Sequence, residues 1–150
     1  MSVFPRLKRS CRVLEPHHND RRNALMVMMC RGFRGATTAS DNTKEAINTA
    51  TEEMLRALVD TNDLNPDSIA AAYFTLTPDL NAEYPASVAR RRLGWNHVAL
   101  MDALEVNVPY GLPMCIRVLV LVNTEKRPEE ITNVYLRGAV NLRQRSVPGS

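Results

Sequence analysis

The sequence predicts one mixed α/β (α+β) domain, in which helices flank a mixed β-sheet. Short apolar runs at 24–30, 70–77 and 114–122 have the length of buried strands. They fall well short of the roughly 20 residues that a membrane-spanning helix needs. Between and after them, apolar residues recur at the three- and four-residue spacing of amphipathic helices. A chain of 150 residues is long enough to bury one hydrophobic core.

The first strand is predicted over 24–30, and the segment RGFRGATT at 31–38 is predicted to follow it as a loop. Gly32 and Gly35 flank Arg34 in that loop, and glycine allows the backbone to approach a ligand closely. The spacing matches neither a GxxxxGK[ST] phosphate loop nor a GxGxxG dinucleotide motif. Taken alone, this segment does not identify a site.

A long helix is predicted from the segment Asn42-Thr43-Lys44-Glu45, which has the spacing of an N-cap and capping box that satisfy the first free backbone donors of a helix. The apolar residues that follow recur with helical period over about five turns and stop near Asn62. Asn65 and Pro66 then predict one further helical turn before the strand at 70–77.

A second helix is predicted over 84–94. Pro85 is typical of the first helical position and Gly94 of the C-cap. The last turn carries three arginines at 90–92, and cations there complement the helix dipole. Because consecutive residues point about 100° apart, one of these arginines can face a site while the other two face solvent.

The C-terminal half is predicted to alternate strands and loops before a last helix. In order, the expected elements are a strand at 97–101, a turn at 102–105, a loop at 106–113, the strand at 114–122, a helix that begins at Pro128 and carries 134–136, and a short strand at 139–142. The resulting order, β-α-β-α-β-loop-β-α-β, tends to leave one apolar sheet face bare in a chain of this size. Oligomerisation would cover it.

Arg117 lies in the middle of the strand at 114–122, whose other residues are nearly all apolar. Such a run is typical of a strand buried on both faces. A guanidinium keeps its charge and is costly to bury without an anionic partner. The arginine therefore forms an internal salt bridge, reaches solvent at a strand end, or is a fixed cation that binds an anionic ligand.

The net charge of +3 is unevenly distributed along the chain. Residues 1–25 carry a net charge of +4, and residues 26–150 carry −1. The basic character therefore belongs to an N-terminal extension at 1–23, predicted to be disordered, and the charge of the folded body does not indicate nucleic-acid binding. Alternative interpretations of the extension are a polyanion-binding arm, an organelle-type leader peptide, or residues translated from an upstream start codon. The expected domain spans 24–145, followed by a mobile tail at 146–150.

Three cysteines, Cys11, Cys30 and Cys115, are scattered and odd in number. They fit free thiols in a reducing compartment, so we expect a cytoplasmic protein. Their spacing does not match a metal site, and no metal is expected.

Several blocks of the sequence occur together in the order and spacing of one known family. They are RGFRGATT (31–38), TPDLNAEYPASVAR (77–90), GW (94–95), the turn at 102–105, CIRV (115–118) and VYLRGAVNLR (134–143). In these blocks the chain resembles the AroH-class chorismate mutases, small monofunctional enzymes of aromatic amino-acid biosynthesis. The resemblance runs from about Met28 to Arg143.

The resemblance implies a homotrimeric pseudo-α/β barrel with active sites in the clefts between neighbouring subunits. It also implies a reaction, the intramolecular Claisen rearrangement of chorismate to prephenate. That step needs no metal, no nucleotide cofactor and no covalent intermediate. The expected partners are therefore chorismate, prephenate and other copies of the chain, with no cofactor and no membrane.

The family pattern also implies which residues act. Arg117 matches the arginine that stabilises the ether oxygen, and Arg34 matches one that binds a substrate carboxylate. Glu105 matches the glutamate that accepts a hydrogen bond from the ring hydroxyl, and Tyr135 a tyrosine that donates to the pyruvyl carboxylate. The further positions that match the substrate-binding surface are Arg90, Tyr84, Ala86, Ser87, Met101, Asp102, Leu142 and Arg143.

Four of these positions depart from the usual family residues. Asp102 stands where a cysteine is common, Met101 where threonine is common and Ser87 where lysine is common, while Tyr84 in place of phenylalanine is a mild change. A carboxylate at Asp102 adds like charge near a dianionic substrate unless it points away or is protonated. The alternative function is a non-catalytic or slow small-anion-binding trimer on the same scaffold.

Overall fold

A computed structural model describes residues 27–142 of the chain. The predicted extension at 1–23 and tail at 146–150 lie outside this part. The five strands are β1 (Met29–Thr38), β2 (Ile69–Leu76), β3 (Ala99–Leu104), β4 (Cys115–Thr124) and β5 (Val134–Tyr135). The two helices are α1 (Lys44–Asn62), between β1 and β2, and α2 (Pro85–Leu93), between β2 and β3. Three 3₁₀ turns follow α1, β4 and β5, at Pro66–Ser68, Pro128–Glu130 and Arg137–Asn141.

The strands form one mixed sheet in the order β3-β2-β4-β1-β5. β4 pairs antiparallel with β1 and β2, whereas β3 runs parallel to β2 and β5 runs parallel to β1. The two helices contact each other as well as the sheet, and the hydrophobic core lies between them and one sheet face. The predicted fold class, a mixed sheet with flanking helices, is confirmed.

The helices α1 and α2 and the strands β2 and β4 form where the local signals predict them. The Thr43 hydroxyl accepts a hydrogen bond from the backbone N–H of Ala46 at 3.3 Å, which caps α1. Gly94 ends α2 with a φ of 72°, a left-handed conformation that favours glycine. The short turn after Asn65 is also confirmed.

The sheet face opposite the helices is open in this chain. In β4, side chains alternate between the core and this open face, which carries Arg117, Leu119 and Leu121. Tyr73, Met101 and Leu119 are exposed on it. The prediction that β4 is buried on both faces is therefore wrong for the single chain, because both helices pack on the same side. The predicted bare apolar face is present.

The first strand lies further along the chain than predicted. RGFRGATT belongs to β1, and every residue from Met29 to Thr38 has a partner in β4. Gly35 allows close packing in the core and does not form a loop, since a Cβ there would lie 3.0 Å from Val118 Cγ1 and 3.1 Å from Met54 Cγ. The predicted strand at 97–101 is likewise displaced, because β3 runs from Ala99 to Leu104 and includes most of the predicted turn.

The predicted last helix and last strand are wrong. After the 3₁₀ turn the chain is extended, and Val134 and Tyr135 pair with the edge of β1. Asn62 holds this segment, since its side-chain amide donates to Thr132 O at 2.8 Å and accepts from Thr132 N at 2.9 Å. The segment at 139–142 lies in and next to the third 3₁₀ turn instead of a strand.

Candidate active site

The charged centre of the open face is an ion pair between Arg117 and Glu105. Arg117 Nη1 lies 2.8 Å from Glu105 Oε1, and the side chains are 37% and 16% exposed. Arg117 Nε and Glu105 Oε2 are buried and have no hydrogen-bond partner among the described residues. The internal salt bridge considered for Arg117 therefore exists, but it leaves one donor and one acceptor unused.

A row of directly opposed residues crosses the sheet through this pair. Tyr135 on β5 lies opposite Ala36 on β1, which lies opposite Arg117 on β4, which in turn lies opposite Thr75 on β2. Directly opposed residues share a face, so Tyr135 and Arg117 project to the same side, two strand spacings or about 10 Å apart. Arg34, two residues before Ala36, projects there as well.

Two cavities meet at Arg117. A cavity of about 290 Å³ is lined by Arg34, Tyr135 and Leu142 as well as Arg117. A neighbouring cavity of about 340 Å³ is lined by Glu105, Thr77, Asp79 and Arg117. Val108, Gly111 and Leu112, in the loop between β3 and β4, form part of both walls. The structure thus brings together all four predicted catalytic residues.

The guanidinium of Arg34 and the hydroxyl of Tyr135 are available to a ligand. Arg34 is positioned through its backbone, whose N–H donates to Asn133 Oδ1 at 2.9 Å. Within residues 27–142 neither side-chain head group has a hydrogen bond or an ion pair. Arg143, predicted to lie near this cavity, falls outside the described residues.

The remaining predicted residues surround α2 and β3, toward the other edge of the sheet. Tyr84 and Asp102 line a third cavity of about 330 Å³. None of the described cavities is lined by both this second group and the Arg34–Tyr135 group. A single chain therefore presents two separate parts of the predicted site. The second group comprises Tyr84, Ala86, Ser87, Arg90, Met101 and Asp102.

Asp102 caps α2 from the neighbouring strand. Its Oδ1 accepts a hydrogen bond from Ala86 N at 3.0 Å, and the helix has no cap from the side chain of Tyr84, its own N-cap residue. Burial raises the pKa of the Asp102 carboxyl, while the Ala86 N–H and the nearby Arg90 oppose that rise. The carboxylate oxygen is thus engaged by the helix N-terminus.

The three arginines of α2 divide as expected. Arg91 pairs with Glu83 at 3.0 Å, and Arg92 pairs with Glu52 at 2.7 Å. In the described part of the chain, Arg90 has no ion pair within 4.0 Å. Ser87 is engaged within the helix, since its hydroxyl donates to the carbonyl of the N-cap residue at 2.7 Å and accepts from Arg91. Arg90 is therefore the arginine left for a ligand.

Thr77 and Asp79 line the cavity beside Glu105 but are absent from the predicted site. Two signals point to them in the sequence: a polar Thr-Pro-Asp segment directly after a strand, and its place at the start of the block at 77–90. Across residues 27–142 there is no group of three His, Cys, Asp or Glu side chains placed to hold a metal ion. No helix in this part of the chain is long and apolar enough to cross a membrane.

Comparison with known proteins agrees with the geometry. The model of the family "Chorismate mutase type I" matches residues 30–146. The chain is 45% identical to the chorismate mutase AroH of Thermus thermophilus over 116 residues, which cover 77% of this chain and 94% of the relative. Identity to the chorismate mutase AroH of Bacillus subtilis is 38% over 116 residues, which cover 77% of this chain and 91% of that protein.

A solved chorismate mutase from Clostridium thermocellum is 45% identical and superposes with a TM-score of 0.71, covering 73% of this chain and 96% of its own. The family match at 30–146 spans the Arg117–Glu105 pair and the residues that line both adjoining cavities. The chain belongs to the type I chorismate mutase family.

Proposed function

We propose that this chain catalyses the rearrangement of chorismate to prephenate in aromatic amino-acid biosynthesis. The observation that carries the proposal is the Arg117–Glu105 pair. It leaves one buried donor and one buried acceptor beside cavities that Arg34 and Tyr135 also line. An ether oxygen that gains negative charge and a neighbouring ring hydroxyl would contact the guanidinium and the carboxylate of this pair, which both line one of these cavities.

The reaction transfers no proton, so the protein contributes restraint and electrostatics. As the ether C–O bond breaks and the new C–C bond forms, negative charge grows on the ether oxygen. A donor held beside that oxygen binds the transition state more strongly than the ground state, which raises kcat. We assign this role to Arg117, whose stiff strand and partly buried position strengthen the interaction.

The other three residues would hold the substrate in its compact conformer. The carboxylate of Glu105 accepts a hydrogen bond from the ring hydroxyl. The planar guanidinium of Arg34 suits the two oxygens of a carboxylate, and the hydroxyl of Tyr135 donates to the pyruvyl carboxylate. Such positioning removes much of the entropic barrier of a unimolecular rearrangement.

We further propose that the working enzyme is a homotrimer, in which the α2–β3 group of one chain completes the Arg34–Tyr135 cavity of its neighbour. The exposed apolar side chains of the open face support this, since contiguous apolar surface of this kind marks interfaces. Leu119→Asp should convert the trimer to monomers in sedimentation and abolish turnover. A trimer that persists in this variant would count against the open face as the interface.

The protein is also proposed to be cytoplasmic. Cys30 and Cys115, the cysteines within the described part, are both free, and a reducing compartment maintains free thiols.

The deciding experiment is the loss of chorismate absorbance in the near ultraviolet, with prephenate identified as the product. Protein purified without added metal should retain full turnover in the presence of a chelator. A folded trimer that binds chorismate or other small dicarboxylates without turnover would instead support the alternative, an anion-binding protein on the same scaffold.

A further inference from the structure

We propose that Asp79, acting through Thr77 and Met114, is a positioning residue that fixes the Arg117–Glu105 ion pair. The inference rests on the proposed function, because it assigns a second layer of support to the same site. Asp79 follows the end of β2, and it lines the cavity that Glu105 and Arg117 also line.

Both carboxylate oxygens of Asp79 are engaged by the protein. Oδ2 accepts a hydrogen bond from Met114 N at 2.8 Å, and Oδ1 accepts one from the hydroxyl of Thr77. Each oxygen of Asp79 thus accepts a bond from the protein, whereas Glu105 Oε2 has no partner in the described part of the chain. The two bonds tie Asp79 to the residues that precede Arg117, which is the arrangement of a supporting side chain.

Thr77 extends the clamp to the first residue of β4. Its hydroxyl accepts from Cys115 N at 2.9 Å, and its own backbone N–H donates to Cys115 O at 3.1 Å. Together, Asp79 and Thr77 therefore hold the two consecutive residues Met114 and Cys115. Arg117 follows two residues later on the same strand, so a displacement of the strand start moves the guanidinium with it.

Met114 needs such support because its backbone is strained. Its φ is 54°, a left-handed conformation that is unfavourable for a residue with a side chain. This conformation turns the chain from the loop after β3 into β4. Besides the bond to Asp79, Met114 O accepts from Ala39 N at 2.8 Å. Two hydrogen bonds therefore fix the turn at Met114, where its geometry sets the direction of β4.

The same end of β2 also holds the partner of the ion pair. Glu105 N donates to Leu76 O at 2.9 Å, so Glu105 is attached just before Thr77 and Asp79 in the chain. The segment from Leu76 to Asp79 consequently fixes the backbone on both sides of the cavity. A transition-state donor must be held within about 0.5 Å of its productive position, which makes this junction functionally sensitive.

The test compares Asp79→Ala with Asp79→Asn and with Asn65→Ala. Asn65→Ala is the control, because it removes a side-chain cap on Asp67 N at the opposite end of β2. Asp79→Ala should lower kcat by about 10- to 100-fold with a smaller change in KM, since misplacement by about 1 Å has that effect. Asp79→Asn should retain most of the activity, because its amide oxygen still accepts from Met114 N and its amide nitrogen can bond to Thr77.

A second readout does not depend on turnover. The Nε–H resonance of Arg117 in nitrogen-15-labelled protein, assigned by its absence in Arg117→Lys, should shift or broaden in Asp79→Ala and stay unchanged in Asn65→Ala. If Asp79→Ala does not fold, Thr77→Val removes the hydroxyl alone and is judged by the same two measurements.

The inference is overturned if folded Asp79→Ala or Thr77→Val keeps both wild-type kcat and an unchanged Arg117 resonance. It is also overturned if the control variant shows the same loss, because the effect would then be general destabilisation. Absence of chorismate turnover by the wild-type protein would refute the proposed function alone. The Arg117 resonance would then decide the positioning role by itself.

Discussion

Replacing Arg117 by alanine removes the one charge that the proposed mechanism places beside the ether oxygen. Two unit charges about 4 Å apart interact with about 4 kcal/mol at the effective dielectric of a protein surface. The oxygen gains only part of a charge, and loss of a single oxyanion donor typically costs about 2.7–4 kcal/mol. At about 1.4 kcal/mol per factor of ten, kcat should fall by at least about 10² to 10³.

The same substitution should leave the protein folded. Glu105 loses its partner but remains 16% exposed, and the removed side chain is 37% exposed. Breaking a fully buried pair costs about 3–5 kcal/mol, whereas exposed pairs contribute about 0–1 kcal/mol. A pair of intermediate exposure should cost about 1–2 kcal/mol, which a domain of ordinary stability tolerates.

Arg92→Ala provides a matched control. Arg92 and Glu52 form a pair of 2.7 Å with exposures of 33% and 24%, away from the cavities at Arg117. Loss of the Arg92–Glu52 pair should lower the midpoint of thermal unfolding by about as much as Arg117→Ala does, while kcat stays within about twofold of the wild-type value. Arg117→Lys should recover only part of the rate, because an ammonium keeps the charge but loses the planar fork.

The assay is steady-state loss of chorismate, with kcat and KM determined for each variant, alongside thermal unfolding. Wild-type-like kcat in folded Arg117→Ala would refute the assignment of Arg117 as the transition-state cation. An equal loss of kcat in Arg92→Ala would show that the rate follows stability rather than the charge at the site.

Three further substitutions test other parts of the structure by unfolding measurements. Burial raises the folded-state pKa of Asp102 above its ordinary value of 3.8, so ionisation of this carboxyl lowers the free energy of unfolding as pH rises. Asp102→Asn should therefore be more stable than wild type at pH 7. This difference should disappear below about pH 4, where the carboxyl is protonated in both the folded and the unfolded protein. Equal stability at both pH values would contradict this. The backbone N–H of Tyr84 and two nearby cations lower the pKa of Glu83 from 4.5 to about 2, so its contribution is present above pH 4.5 and is lost as pH falls toward 2. Glu83→Gln should therefore be less stable than wild type at pH 7 and equally stable near pH 2, and a deficit that persists there would exclude this cause. Gly35→Ala should destabilise by about 1–3 kcal/mol in urea, because the added methyl group is crowded by core side chains, and an unchanged midpoint would show that the core yields.

The sequence alone was sufficient for elements whose signals are local. The helix that begins after Thr43 follows from its cap and its apolar period, since helix hydrogen bonds join residues four apart. The apolar strands at 70–77 and 114–122 were found for a similar reason, because each run is both long enough and bounded by turn residues. The order of the family motifs, in turn, was enough to nominate Arg34, Glu105 and Arg117.

The errors fall where distant partners decide the backbone. RGFRGATT has two glycines and is typical of a loop, yet all eight of its residues pair with β4 and make it part of a strand. The segment 131–136 has apolar residues at helical spacing, but the clamp by Asn62 and the exposed edge of β1 hold it extended. Neither partner is near in sequence, so no local window contains the information.

The fold class, the helices α1 and α2, the family and the residues of the charged centre follow from the amino-acid sequence, because these depend on short-range period, capping and motif order. The folded chain adds that Asp102 caps α2, that Asp79 clamps the start of β4 and that the predicted site falls into two separate parts of one chain. These features depend on side chains that meet backbone groups 16 or 35 residues away. Such contacts form only when the sheet brings its strands together, and that is why the sequence pattern did not disclose them.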